Sequence, residues 1–229
     1  MLPTFETSVE PVVTVAMAAE AAGFDGVFAY DHLWPMGHPA KPSLSIFPVL
    51  AAALAATTSI SVGSLVARIG LEPDDVLEAS FSTLAALAPG RVIAGIGTGD
   101  EKSEQESLAF GLPRVAAKPR RASLAAVAAH LRAVGLDVWI GGGGEATNAI
   151  AGALGCRLNL WAASAERVSA LASAADVTWG GQLPRGPSPA ASKLVDLARA
   201  GASWAVVSWQ GDLLALREIA EIAASQIGP

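Results

Sequence analysis

Short apolar runs alternate along the chain with longer segments of helical periodicity. The runs are apolar throughout instead of alternating with polar residues, which is typical of parallel strands covered on both faces. We predict eight such strands, each followed by a helix. The predicted strands are Leu2–Phe5, Val27–Tyr30, Ile60–Val66, Arg91–Ile96, Asp137–Ile140, Cys156–Leu160, Val177–Trp179 and Trp204–Val207.

Capping and stop signals bound the helices between these strands. Ser8 is the expected N-cap of the first helix, and acids around Pro73 start the third, as the helix dipole favours. The predicted helices are 9–22, Ile46–Ala56, Glu72–Leu87, Pro119–Val134, Glu145–Gly155, Ala165–Ala174, Ser188–Arg199 and Leu213–Ala224, and Glu101–Glu106 is expected as a short helix or loop.

Eight strand and helix units in 229 residues favour a (β/α)8 TIM barrel, in one domain of residues 1–229, over a doubly wound parallel sheet. A typical barrel uses about 250 residues, so we expect a compact barrel with short loops. In this fold the site forms from residues directly after the strands.

Composition excludes several classes of partner. The net charge is −6, so the chain offers no basic face to a nucleic acid. A lone Cys156 rules out an internal disulfide, and no secretory signal is visible at Met1, so we expect a cytoplasmic protein. The uncharged stretch Pro42–Ala67 is as long as a membrane span, but Pro48 and the polar Thr57–Ser59 interrupt it. We interpret it as a buried helix and a buried strand, with no membrane partner.

Reactive side chains follow the strand Val27–Tyr30. Asp31 and His32 come directly after it, and Trp34 follows. The pair could cap a helix and secure the loop, or His32 could exchange a proton with a bound ring that Asp31 contacts. Trp34 could stack on a planar ligand or pack in the loop. Asp100 could be an acid of the site or a helix N-cap.

Other kinds of catalytic site find little support. His38 lies in a loop rich in Pro and Gly and no second convergent histidine appears, so we expect no metal site. No Gly-x-Ser-x-Gly elbow is present, and Cys156 begins a core strand. Two glycine clusters fit anion binding better, although either could be a plain turn: Gly141 to Gly144 lead into a helix, and Gly97, Thr98 and Gly99 follow a strand.

Four segments together resemble the bacterial luciferase-like monooxygenase superfamily. They are GFDGVFAYDHLWP, ISVGSLVARIG, LEPDDVLEASFSTLAALAPGRVIAGIGTGD and DVWIGGGG. The nearest resemblance is to actinobacterial members, many of which use the deazaflavin F420 instead of FMN. It implies a TIM barrel with the cofactor ring across the carboxyl ends of the strands. The chain departs from the family in a short first strand and in lacking the insertion that often covers the substrate.

The resemblance also assigns site residues. Asp31 and His32 correspond to a cofactor-facing pair, and Asp100 to the glutamate proton donor of F420-dependent sugar-phosphate dehydrogenases. It implies three sets of cofactor contacts. Ser64 and Leu65 lie near a bulge that often holds a non-prolyl cis peptide. Gly97, Thr98 and Gly99 form a turn that contacts the phosphate and ribityl groups, and Gly141, Gly142 and Gly143 form a phosphate cradle.

We therefore predict an oxidoreductase that passes a hydride between F420, or alternatively FMN, and a small organic substrate. His32, Asp31 and Asp100 are its expected catalytic residues, and Trp34 its expected substrate contact. Two other hypotheses stay open: a non-catalytic flavin- or deazaflavin-binding protein, and a barrel enzyme that acts on phosphorylated metabolites without a redox cofactor. The apolar composition and short loops are compatible with a homodimer.

Overall fold

The computed structural model describes residues 1–99, 101–113 and 115–227, without the side chains of residues 101, 102 and 104. Asp100, one of the predicted catalytic residues, lies outside the described residues. All strand pairs are parallel. The strands are β1 Gly26–Ala29, β2 Ser61–Ser64, β3 Ala67–Arg68, β4 Val92–Gly97, β5 Asp137–Gly141, β6 Arg157–Trp161, β7 Val177–Gly181 and β8 Ala202–Val207.

The strands follow one another around the sheet in the order β1, β2, β4, β5, β6, β7, β8, and β3 pairs with β4. Helices separate nearly all of them along the chain, as parallel pairing requires. The helices are α1 Glu10–Ala21, α2 Ile46–Ala56, α3 Asp74–Leu87, α4 Glu101–Ala109, α5 Ala117–Ala133, α6 Glu145–Leu154, α7 Ala165–Ala172, α8 Pro187–Arg199 and α9 Leu213–Ile227. This eight-stranded parallel near-barrel confirms the predicted fold class.

The N-terminal prediction was wrong, because Leu2–Phe5 is not a strand. The Met1 ammonium donates to the Val207 carbonyl (2.9 Å) and Leu2 N donates to the Phe28 carbonyl (2.7 Å), so these residues bridge β8 and β1. Pro3 has no N–H group and cannot extend a ladder. The Thr4 carbonyl accepts from Leu44 N (2.8 Å), and Leu44 belongs to a loop and not to a strand.

Two further boundaries differ from the sequence prediction. Val9 instead of Ser8 occupies the N-cap of α1. The Ser8 hydroxyl hydrogen-bonds the Glu10 side chain instead and helps to lower the pKa of that carboxyl. The predicted strand Ile60–Val66 is shorter in the structure, where only β2, Ser61–Ser64, lies within it. A cis peptide bond joins Leu65 to Val66 between β2 and β3, and β3 begins one residue beyond the predicted range.

The barrel interior is filled by aromatic and aliphatic side chains. Trp139 is fully buried, and its ring lies 5.0 Å from Phe28 and 5.4 Å from Trp204, centroid to centroid. The wall is tightest where β4 passes β2, since a Cβ on Gly95 would lie 1.9 Å from the Ser64 carbonyl oxygen. This contact sets the position of Leu65 and Val66, which follow Ser64 at the carboxyl end of the barrel.

The uncharged stretch Pro42–Ala67 forms α2 and β2 within the fold. Among the described residues, no helix combines the length and the apolar character that a membrane crossing needs.

Candidate active site

A cavity of about 1830 Å³ opens at the carboxyl ends of the strands and continues between β1 and β8. Most of the predicted site residues meet there although they are far apart in sequence. Those that line it are Asp31, His32, Leu65, Gly97, Thr98, Gly99, Gly141, Gly142 and Gly143.

His32 is held by a carboxylate that sequence reasoning missed. Its Nδ1 lies 2.8 Å from Oε1 of Glu106, and Leu33 N donates to Oε2 of the same carboxylate (3.2 Å). The Glu106 side chain is 1% exposed, whereas that of His32 is 21% exposed. The histidine therefore reaches the cavity while its partner stays inside the protein.

Arg68 joins this pair to Asp31. Its guanidinium donates through Nη2 to Glu106 Oε2 (2.7 Å) and through Nη1 to the Ser103 carbonyl (3.3 Å). Its backbone N–H donates to Asp31 Oδ2 (2.8 Å). Burial raises the pKa of Asp31, and the hydrogen bond and positive charge of Arg68 oppose that rise. The ends of β1 and β3 and helix α4 are thus tied together by one buried polar network.

A weak signal for Glu106 was present in the sequence. Ser103 and Glu106 stand three residues apart, a spacing that puts both on one helix face, and both are buried. The segment was too polar and too short to be assigned as a helix with an inward face.

Glycines shape the floor of the cavity around Leu65 and Val66. A Cβ on Gly97 or on Gly141 would lie 2.7 Å from a methyl group of Val66, and one on Gly180 would lie 3.2 Å from Leu65. Glycine at these strand ends therefore gives both side chains the room they occupy. Ser64 lies behind them, fully buried, with its hydroxyl donating to the Gly95 carbonyl (2.6 Å), and it does not line the cavity.

The glycine exit of β5 has the features of an anion site. Gly142 to Gly144 lead into α6, whose first N–H groups lack intrahelical partners and carry the positive end of the helix dipole. A Cβ on Gly143 would meet no atom within 4 Å. The Arg167 guanidinium donates to the Gly143 carbonyl (2.9 Å), which brings a positive charge to the same place.

The turn after β4 is held by a side chain of α5. Gly99 has a φ of +69°, a conformation that favours glycine. The Thr98 carbonyl accepts from Arg120 Nη1 (2.7 Å), so this turn is fixed before any ligand arrives.

Aromatic rings form one wall of the cavity. Tyr30 stacks on Phe5 at 6.1 Å and meets Trp161 edge-on at 5.7 Å, centroid to centroid. Trp161 is 49% exposed, so this wall faces an open space. Trp34 packs instead against Phe110 at 5.6 Å and does not line the cavity. Its expected substrate contact stays a prediction.

No cluster of three or more His, Cys, Asp or Glu side chains suited to a metal ion occurs among the described residues. The polar side chains that line the cavity include carboxylates, guanidinium groups, hydroxyls, amides and one imidazole. This donor set suits an organic ligand with an anionic group better than a bare cation.

A family model for luciferase-like monooxygenases matches residues 2–125, more than half of the chain. The chain belongs to the luciferase-like monooxygenase family. The resemblance seen in the four sequence segments is confirmed.

Relatives of this luciferase-like protein include two F420-dependent enzymes. An F420-dependent glucose-6-phosphate dehydrogenase of Beutenbergia cavernae is 36% identical over 125 residues, which cover 54% of this chain and 36% of that protein. An F420-dependent hydroxymycolic acid dehydrogenase of Mycobacterium tuberculosis is 43% identical over 102 residues, which cover 41% of this chain and 26% of that protein. The chain thus matches only about a third or less of the length of these relatives.

Solved structures share the fold of this luciferase-like protein at low sequence identity. An F420-dependent secondary alcohol dehydrogenase, solved with an F420–acetone adduct, has a TM-score of 0.81 and 14% identity, with 96% of each chain covered. The coenzyme F420-dependent tetrahydromethanopterin reductase of Methanopyrus kandleri has a TM-score of 0.74 and 13% identity, with 97% of this chain and 94% of that chain covered. At these identities the comparison establishes the barrel fold.

Proposed function

We propose that this luciferase-like protein is an oxidoreductase that binds F420 and passes a hydride between it and a small organic substrate. One observation carries the proposal: a single cavity is lined by the His32 and Asp31 side chains and by the open glycine exit before α6. The two side chains can contact a planar ring, and the glycine exit can hold its phosphate group. The F420-dependent relatives support the same choice.

The residues present fit such a cofactor. The open space at Gly143, the start of α6 and the Arg167 guanidinium suit a phosphate group. The Leu65 and Val66 side chains, for which the neighbouring glycines leave room, offer an apolar surface under a ring. When bound, the deazaflavin supplies the carbon that carries the hydride.

The chain's own groups would then orient the ring and move a proton. His32 holds its Nδ1 against Glu106, so its Nε2 is the atom that exchanges a proton with the substrate. Asp31, whose carboxylate accepts from the backbone N–H of Arg68, would contact the ring. Asp100 remains a proposed second proton donor.

A titration tests the proposal. We would add F420, and separately FMN as the alternative cofactor, to the purified protein and follow the quenching of cofactor fluorescence. We expect F420 to bind, and we expect His32→Ala to slow ring reduction more than it weakens binding. Failure of both cofactors to bind would overturn the proposal, and an equal loss of rate and affinity would assign His32 a structural role.

One observation favours a second candidate, a non-catalytic protein that binds a deazaflavin. The aromatic wall is open, with Trp161 half exposed, so a substrate would be poorly enclosed from water. This candidate predicts tight cofactor binding and no reduction of bound F420 by secondary alcohols or sugar phosphates.

We also propose that the protein is a cytoplasmic homodimer, as its apolar composition and single cysteine suggest. Light scattering after size-exclusion chromatography would measure the mass against the 23.1 kDa of one chain. A monomer at micromolar concentration would contradict the dimer.

A further inference from the structure

We propose that Glu106 is a positioning residue that fixes the tautomer of His32, with the proton on Nδ1 and with Nε2 left to exchange a proton in the cavity. This inference rests on the proposed function for its catalytic meaning. The tautomer itself is a property of the protein without cofactor.

The hydrogen bonds around Glu106 dictate the direction of each proton. An ionised carboxylate can only accept. Its Oε1 lies 2.8 Å from His32 Nδ1, so in the neutral ring that nitrogen must carry the hydrogen. The other nitrogen, Nε2, then carries a free lone pair.

The second carboxylate oxygen is held so that Glu106 cannot turn away. Oε2 accepts from Leu33 N at 3.2 Å and from Arg68 Nη2 at 2.7 Å. The Arg68 side chain is itself only 7% exposed, and a buried carboxylate keeps its charge at low cost only with such a partner. Both oxygens are therefore committed, one to the histidine and one to fixed donors.

The fold brings Glu106 to His32 from a separate element. His32 follows β1, whereas Glu106 lies on α4, whose Ser103 carbonyl also accepts from Arg68. A shift of α4 would carry the carboxylate away from the imidazole. The arrangement thus makes the state of His32 depend on the docking of α4.

The amide variant gives a sharp expectation. In Glu106→Gln the side-chain oxygen is needed by two donors, Leu33 N and Arg68 Nη2. The NH₂ group then faces His32 Nδ1 and donates to it, so Nδ1 becomes an acceptor and the hydrogen moves to Nε2. A role limited to holding α4 would not reverse the tautomer.

Nitrogen NMR of the cofactor-free protein with ¹⁵N-labelled histidine measures this directly. The chain has three histidines, and His38→Gln and His130→Gln assign their signals by elimination. We expect His32 to be the Nδ1–H tautomer in the unmodified protein and the Nε2–H tautomer in Glu106→Gln. Glu106→Asp, which keeps an acceptor, should retain the Nδ1–H form at least in part.

The chain supplies an internal control in the pair His130 and Glu78. Nδ1 of His130 lies 3.6 Å from Glu78 Oε2, too far for a hydrogen bond, and its side chain is 49% exposed. We expect Glu78→Gln to leave the His32 spectrum unchanged.

Kinetics then separate this inference from the proposed function. If F420 binds, Glu106→Gln should lower the rate of its reduction on the order of 10²-fold with little change in its dissociation constant. An Nε2–H tautomer of His32 in the unmodified protein would overturn the inference even if F420 binds, and even if Glu106→Gln does not fold. An Nδ1–H tautomer that reverses in the variant would support it even if no F420 bound.

Discussion

Gly95 on β4 is the position where a single methyl group should do most damage. A Cβ there would lie 1.9 Å from the Ser64 carbonyl oxygen and 3.0 Å from the carbonyl carbon. Both atoms belong to the backbone of β2, so no side-chain rotation can relieve the overlap. Alanine must push the end of β2, and with it the Leu65–Val66 segment, away from β4.

The magnitude of Gly95→Ala follows from these contacts. Overpacking a core costs about 1–3 kcal/mol, and a backbone obstacle puts this site at the upper end. Displacing Ser64 also breaks its buried bond to the Gly95 carbonyl, for about 1 kcal/mol. Alanine also lowers the conformational entropy of the unfolded chain, which stabilises the folded protein by about 0.5–1 kcal/mol. We expect a net loss of about 3 kcal/mol.

Urea unfolding followed by far-UV circular dichroism measures this loss. Gly152→Ala is the matched control, because a Cβ at Gly152 in α6 would meet no atom within 4 Å. Alanine in a helix should stabilise the protein there by about 0.5–1 kcal/mol. If Gly95→Ala changed the free energy of unfolding by less than about 1 kcal/mol, the close approach of β2 and β4 would be refuted.

Three further predictions concern the floor, an acid-sensitive contact and the anion site. Gly141→Ala should lower the free energy of unfolding by about 1–3 kcal/mol, because its Cβ would lie 2.7 Å from Val66 Cγ1. In the same urea assay, adding Val66→Ala should relieve part of the loss caused by Gly141→Ala. If the effects of the two substitutions were strictly additive, that would count against the contact. The Glu20 carboxylate accepts from three backbone N–H groups, of residues 58 to 60, which lower its pKa to about 2 from an ordinary 4.5. Its contribution to stability is present above pH 4.5 and is lost as the pH falls towards 2. Glu20→Gln should therefore make the melting temperature depend less on pH between these values. A pH dependence equal to that of the unmodified protein would contradict this. Gly143→Asp should weaken F420 binding about ten-fold or more through charge repulsion, measured by fluorescence titration, whereas the neutral Gly143→Asn should weaken it less; equal effects would argue against an anion there.

The periodic apolar pattern was enough to predict most of the fold. α2 begins and ends at the predicted residues, since polar Ser45 and Thr57 bound a wholly apolar segment. The error at Leu2–Phe5 arose because a strand needs partners as well as apolar residues. Pro3 removes the donor that would have continued the pairing, and that signal was present in the sequence.

The site was predictable only where residues follow the strands directly. Asp31 and His32 were found because the strand before them points them at the carboxyl face. Glu106 was not, because it is separated from His32 by 74 positions and sits in a segment of weak pattern. Trp34 could have stacked on a ligand or packed in the loop; its ring contacts Phe110, and its substrate contact stays a prediction.

The bond from the Met1 ammonium to the Val207 carbonyl has a practical consequence for handling the protein. Burial lowers the pKa of this ammonium to about 6, so it gives up its proton more readily than an exposed amine. An affinity tag fused ahead of Met1 would replace the amine with an amide and lead extra residues out between β1 and β8, beside the cavity. Tag placement is therefore a variable of the cofactor titration, and a C-terminal or cleaved tag leaves this opening as the structure has it.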